Sequence, residues 1–198
     1  MGNRNNTNRM KIFIAWSGKL SHRLAKALHR WLPQVLPYVE PWISSEDINK
    51  GMAWTPELWG ALRNSDFGII CLVPGIEKQP WVLLEMGALA CTQAKDRVAP
   101  FLVGLEPNAL SEPLRQFQYV KAEREDVLRL LKRINDAAGE KSISEDAIDE
   151  AFRKHWSKLQ KNLYRFAIEC PVVKEEPKGS GGTNASHTRG RESFEPDY

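Results

Sequence analysis

Between Asp66 and Pro74 the chain runs through seven residues, Phe67 to Val73 (FGIICLV), with no charge and no alternation of apolar with polar side chains. A strand with one face in water alternates, whereas a strand in the middle of a parallel sheet is buried on both faces and is apolar throughout. This segment therefore demands a sheet with helices on both sides. A 198-residue chain is long enough for one such domain and a tail.

The rest of the sequence alternates to match. Lys11 to Trp16 (KIFIAW) is a short apolar strand, followed by the turn Ser17-Gly18-Lys19 and a helix with apolar positions Leu20, Leu24, Leu28, Trp31, Leu32 and Val35, stopped by Pro37. Tyr38 to Ile43 forms a second strand, and a polar loop leads to a helix over Thr55 to Arg63, with Thr55 as N-cap ahead of Pro56. After the third strand come an apolar helix around Trp81, a fourth strand at Val98 to Val103, a long loop from Glu106 to Phe117, and a short fifth strand at Gln118 to Lys121. Helical periodicity returns over Val127 to Ile134 and over Ile148 to Phe166. Residues 1–10 are expected to form a flexible N-terminus, 11–170 the folded domain, and 171–198, rich in Gly, Ser, Pro and charge, a disordered tail.

One residue breaks the pattern. Glu85 is the only charged residue between Lys78 and Lys95, within the apolar run Pro80 to Cys91. A carboxylate in such a setting is costly unless paired or used. Trp81 lies four residues earlier, so a helix places indole and carboxylate on one face. The plain alternative is an acid favouring the positive end of a helix dipole. The position favours a site, because helix starts after buried parallel strands line the ligand crevice of open α/β sheets.

Composition excludes several classes. The formal charge is +3, with Lys and Arg dispersed among acids along the sequence, so nucleic-acid binding is unsupported. Cys71, Cys91 and Cys170 are an odd number set in apolar runs, as expected of structural thiols in a reducing compartment. The four histidines form no pair at metal-ligand spacing, and no metal is assigned. The polar, Asn-rich start lacks the apolar core of a secretory signal and no run reaches membrane-spanning length, so a cytoplasmic protein without membrane attachment is expected.

Four segments taken in order, KIFIAWSG, PWISSEDINKG, SDFGIICLVP and PWVLLEMGAL, resemble a bacterial TIR (Toll/interleukin-1 receptor) domain over roughly Lys11 to Asn135. The resemblance implies a flavodoxin-like α/β fold: a parallel five-stranded sheet flanked by helices, here with extra C-terminal helices. Many proteins of that kind cleave NAD at the nicotinamide–ribose bond. The glutamate of the family's tryptophan-x-x-x-glutamate motif, here Glu85, is the catalytic residue. The loop after the second strand, Ser44 to Ala53, matches the family's BB loop, which mediates self-association and borders the pocket; Ser44, Glu46, Asp47 and Lys50 lie in it. Where many relatives end the first strand with serine and then tyrosine or phenylalanine, this chain has Ala15-Trp16-Ser17.

A flavodoxin-like strand order puts the turn Trp16 to Lys19 and the segment Pro74 to Glu85 at one crevice. Cleaving the N-glycosidic bond builds positive charge on the ribose, which a carboxylate at Glu85 would stabilise without a metal. Trp16 or Trp81 would stack on a flat ring, Ser17 on a polar group and Lys19 on the diphosphate. Core packing, a helix cap and a solvated charge are the respective alternatives. No GxGxxG is present, so NAD+ enters as substrate and no cofactor is expected. A phosphoacceptor receiver is excluded, because Trp16-Ser17 and Val73-Pro74 stand where it needs acids.

Three functions remain open on sequence: an NAD+ glycohydrolase or cyclase in bacterial antiphage defence or signalling, a non-enzymatic scaffold working through TIR–TIR contacts, and a nucleoside-processing N-glycosidase. A separate sensor or effector partner is expected of the first.

Overall fold

The computed structural model describes residues 9–43, 56–76, 95–110 and 112–170. Five strands, β1 (Met10–Ala15), β2 (Val39–Ile43), β3 (Phe67–Leu72), β4 (Val98–Leu102) and β5 (Val120–Lys121), form one parallel sheet in the order β2-β1-β3-β4-β5. This is the flavodoxin-like order, in which the second strand lies outside the first and the remainder add on the other side. All six residues of β3 are buried, as its apolar run requires. β1 begins one residue earlier than expected, and Met10 is part of the core.

The helices are α1 (Gly18–Val35), α2 (Pro56–Arg63), the single-turn α3 (Glu112–Arg115), α4 (Arg124–Ala137) and α5 (Glu145–Glu169). The strand period of two sorts side chains to opposite faces. Ile12 and Ile14 of β1 join a large core with Leu24, Leu28 and Trp31 of α1 and with α4 and α5, whereas Phe13 and Ala15 join a smaller core with Leu62 of α2. In α5 the buried positions Ile148, Phe152, Trp156, Leu159, Leu163 and Phe166 keep one helical stripe. Its start is well specified. The Ser144 side chain accepts a hydrogen bond from the Ala147 N–H, and Glu145 and Asp146 complement the helix dipole.

Asn135 fastens the α4–α5 connection. Its Oδ1 accepts from the Ile143 N–H at 2.8 Å and from the Tyr38 hydroxyl at 2.8 Å, while its Nδ2 donates to the Ile143 carbonyl at 2.9 Å. A buried amide is thereby satisfied. Burial, assisted by the charge of Asp136, pushes the Tyr38 phenol up to about 12.

Three expectations need correction. Glu106 to Phe117 is not a plain loop: it holds a 3-10 turn at Pro107–Ala109 and then α3, and Leu110, Leu114 and Phe117 are buried in the smaller core. Proline at the start of a helical turn loses no hydrogen bond, so Pro107 opens the 3-10 turn. Trp16 lies just beyond β1, and β5 is confined to Val120–Lys121. Folding also brings together two acid-free runs of cations. In α1, Lys19, Arg23, Lys26 and Arg30 are accompanied by no acid, and α5 has none from 151 to 168.

Candidate active site

The crevice site follows from the strand order. β1 and β3 are neighbours, paired Ile12 to Phe67 through Ala15 to Ile70. From β1 the chain passes into α1, which packs in the larger core, and from β3 it enters a tight turn. Connections diverge where the order reverses, leaving a gap at the carboxyl ends of the strands.

Two turns meet there. In Val73-Pro74-Gly75-Ile76 the Ile76 N–H donates to the Val73 carbonyl at 3.1 Å, and Gly75 has φ +86°, as a type II turn with proline at its second position requires. On the β1 side Gly18 has φ +77°, and a Cβ there would lie 3.3 Å from Ile76 Cδ1. Glycine thus lets the α1 start turn sharply against the end of β3.

The start of α1 is anchored from below. The Ser21 hydroxyl donates to the Cys71 carbonyl at 2.7 Å and accepts from the Ser17 N–H at 3.3 Å. Ser17 is the N-cap residue but its side chain makes no capping bond. The Cys71 thiol is fully buried, and burial pushes its pKa far above the ordinary value, so it stays protonated and is unsuited as a nucleophile.

Trp16 is half-buried against the larger core and stacks on His22, with ring centroids 4.0 Å apart and planes 28° apart. One indole face is therefore taken by the imidazole. Lys19 is exposed in the first turn of α1, which contains no acid. A cation at the positive end of a helix costs stability, so neither capping nor dipole accounts for it. Together with the amide-rich helix start it favours an anion at the crevice.

The same sheet edge receives the end of α5. Arg23 and Glu169 form a two-pronged ion pair, with Nη2 to Oε1 at 3.0 Å. That hydrogen bond holds the Glu169 carboxyl below its usual range. Gly104, at φ +63° beyond β4, lies so close to Cys170 that an added Cβ would stand 2.7 Å from Sγ and 2.8 Å from Cβ. The Cys170 thiol contacts the Val103 carbonyl at 3.5 Å.

Of the residues expected from sequence, Trp16, Ser17 and Lys19 come together at the end of β1. Glu85, Trp81, and Ser44, Glu46, Asp47 and Lys50 of the loop after β2 lie outside the described residues, as do Thr55 and Cys91. Ser21 and His22 were not anticipated. Ser21 left one signal, as a polar residue on the buried stripe of α1.

The profile of the TIR domain family matches residues 12–133, from β1 into α4, a span that includes every one of these sequence candidates. No curated protein gives a match.

Proposed function

Because the chain belongs to the TIR domain family, we propose that it is an NAD+-cleaving enzyme that breaks the bond between nicotinamide and ribose, with Glu85 as the catalytic carboxylate. The observation that carries this reading is the β1–β3 switch point. The Gly18 and Gly75 turns abut there, Lys19 adds positive charge at a helix start, and Glu85 follows Ile76 by nine residues. Such an end suits a dinucleotide's diphosphate.

In the reaction the C1′–N bond of the nicotinamide riboside breaks and both its electrons go to the ring nitrogen, which neutralises the pyridinium. The ribose carbon is left cationic. The Glu85 carboxylate stabilises it until a nucleophile adds and loses its proton. Water gives ADP-ribose. An adenine nitrogen or ribose hydroxyl held close by the folded dinucleotide gives a cyclic product instead, and proximity favours it over bulk water. A diffusible product of that kind suits signalling to a separate effector, in bacterial immunity, from the cytoplasm. Assembly through Ser44, Glu46, Asp47 and Lys50 of the loop after β2 would complete the crevice between copies. Among the described residues no helix is long and apolar enough to cross a membrane.

The test is incubation of the purified full chain with NAD+, with products resolved by chromatography and mass spectrometry. Nicotinamide release by wild type, abolished in a folded Glu85→Gln variant, is the expected result. Unchanged release by Glu85→Gln overturns the residue assignment. No release from concentrated, assembled wild type overturns the enzymatic reading.

A further inference from the structure

The outer face of α5 carries charge that nothing beside it balances. From 151 to 168 the helix has five cations, Arg153, Lys154, Lys158, Lys161 and Arg165, and no acid. All five are exposed. Elsewhere the protein pairs such groups: Arg23 with Glu169, Lys121 with Glu106 and Glu123, Arg129 with Asp126, and Lys132 with Glu145. Among the described residues no acid forms an ion pair with any of the five on α5. Arg153 donates to the Asp149 carbonyl at 3.3 Å and Lys158 to the Gln34 amide oxygen at 3.2 Å, both uncharged acceptors.

These cations form a stripe. Lys154, Lys158, Lys161, Arg165 and Ile168 follow one another at steps of four, three, four and three, which keeps them on one side of the helix. The buried Phe152, Trp156, Leu159, Leu163 and Phe166 repeat the same steps two residues earlier. Two residues turn a helix by about 200°, so the cationic stripe lies roughly opposite the core and runs for about 21 Å at about 1.5 Å per residue. Its far end is apolar: Ile168 is 67% exposed, and Tyr164, one turn before it, is 69% exposed.

We propose that α5 seats the protein on an anionic bilayer, with its outer stripe along the headgroup plane and Tyr164 and Ile168 at the interface. A ridge of this kind meets a plane along its whole length. Lys and Arg are attracted to anionic lipid, and an aromatic ring with a polar tip beside an aliphatic side chain suits the boundary between headgroups and acyl chains. A nucleic acid would engage the cations but leave Ile168 in water, whereas a bilayer engages both. Such a seat is peripheral. It needs no spanning segment, the feature on which the expectation of no membrane attachment rested.

The test is co-sedimentation of the full chain with vesicles of phosphatidylcholine alone or with about 30% phosphatidylserine, from about 50 to 300 mM salt. The protein should sediment with the anionic vesicles and not with the neutral ones, and salt should release it. Lys154→Ala and Lys161→Ala should each weaken partitioning about fivefold, and together about twentyfold or more. Tyr164→Ala combined with Ile168→Ala should weaken it about tenfold. Lys141→Ala removes the same charge from the α4–α5 connection and should change it by less than about twofold. If a double variant fails to fold by circular dichroism, the single lysine variants decide. No binding to anionic vesicles at low salt, equal binding to neutral ones, equal losses in Lys141→Ala and Lys161→Ala, or capture of a duplex oligonucleotide at least as tight as that of the vesicles overturns the proposal. Nicotinamide release plays no part in this readout, so the two proposals fail separately.

Discussion

Ser21 reaches across fifty positions of sequence to the Cys71 carbonyl, and this 2.7 Å bond ties the first turn of α1 to the middle of the sheet. The same oxygen also holds the Ser17 N–H, so one hydroxyl sets where the β1–α1 turn sits relative to β3. Ser21→Ala leaves a buried carbonyl unpaired, at a cost of about 1–3 kcal/mol. With about 2–4 °C lost per kcal/mol in a chain of this size, the melting temperature should fall by several degrees. Ser21→Thr, which keeps the hydroxyl, should recover part of the loss. Equal melting of Ser21→Ala and wild type by calorimetry would count against the bond.

Gly18→Ala meets two penalties, an L-residue at φ +77° and a methyl group against Ile76. The conformational part alone is about 1–2 kcal/mol. Adding Ile76→Ala should relieve the contact and leave the backbone penalty, so the double variant should stay less stable than Ile76→Ala alone. Denaturant titration of the four proteins measures this, and full recovery in the double variant would contradict it.

Gly104→Ala should be the more damaging glycine change. A Cβ at 2.7 Å from one atom and 2.8 Å from another cannot be accommodated without moving the end of α5. Overpacking of this kind costs about 1–3 kcal/mol in addition to the left-handed backbone. Cys170→Gly removes both obstructing atoms and should partly restore Gly104→Ala, although it harms wild type by leaving a void. If Cys170→Gly worsens both backgrounds equally, the clash is not the cause.

Alkaline unfolding should carry a Tyr38 signature. The phenol titrates near 10 when unfolded and is raised to about 12 in the fold. Its stabilisation is therefore complete below pH 10 and is lost as pH rises from 10 through 12, because the unfolded chain releases the proton first. A two-unit shift equals about 2.7 kcal/mol, reduced by solvent screening at a half-buried group to the order of 1 kcal/mol. Tyr38→Phe should be less stable at neutral pH and show a shallower decline over that interval. Parallel stability curves for the two proteins would exclude the effect.

The sheet was legible because its strands are buried on both faces and carry their burial in composition, as Phe67 to Leu72 does. The long helices were legible through their apolar period. Pro107 and Pro113 misled, since proline breaks a helix in its interior but opens one at its start, and the buried Leu110, Leu114 and Phe117 were the better guide. At the candidate site Trp16, Ser17 and Lys19 could be placed from chain order and the switch-point rule. His22 and Ser21 could not, because their roles depend on partners that only folding brings near. The pairing of the α1 and α5 cations was hidden for the same reason: Arg30 and Lys158 belong to helices more than a hundred positions apart.

The recognisable family signature stops at residue 133, but the apolar core does not. Trp31 is 3% exposed, with its indole N–H bonded to the His155 carbonyl of α5, and Leu24 and Leu28 belong to the same core. A chain trimmed to its inherited pattern would open that apolar wall to water. Ancestry and packing draw different borders around this domain, and a chain ended at the homologous border is expected to lose stability.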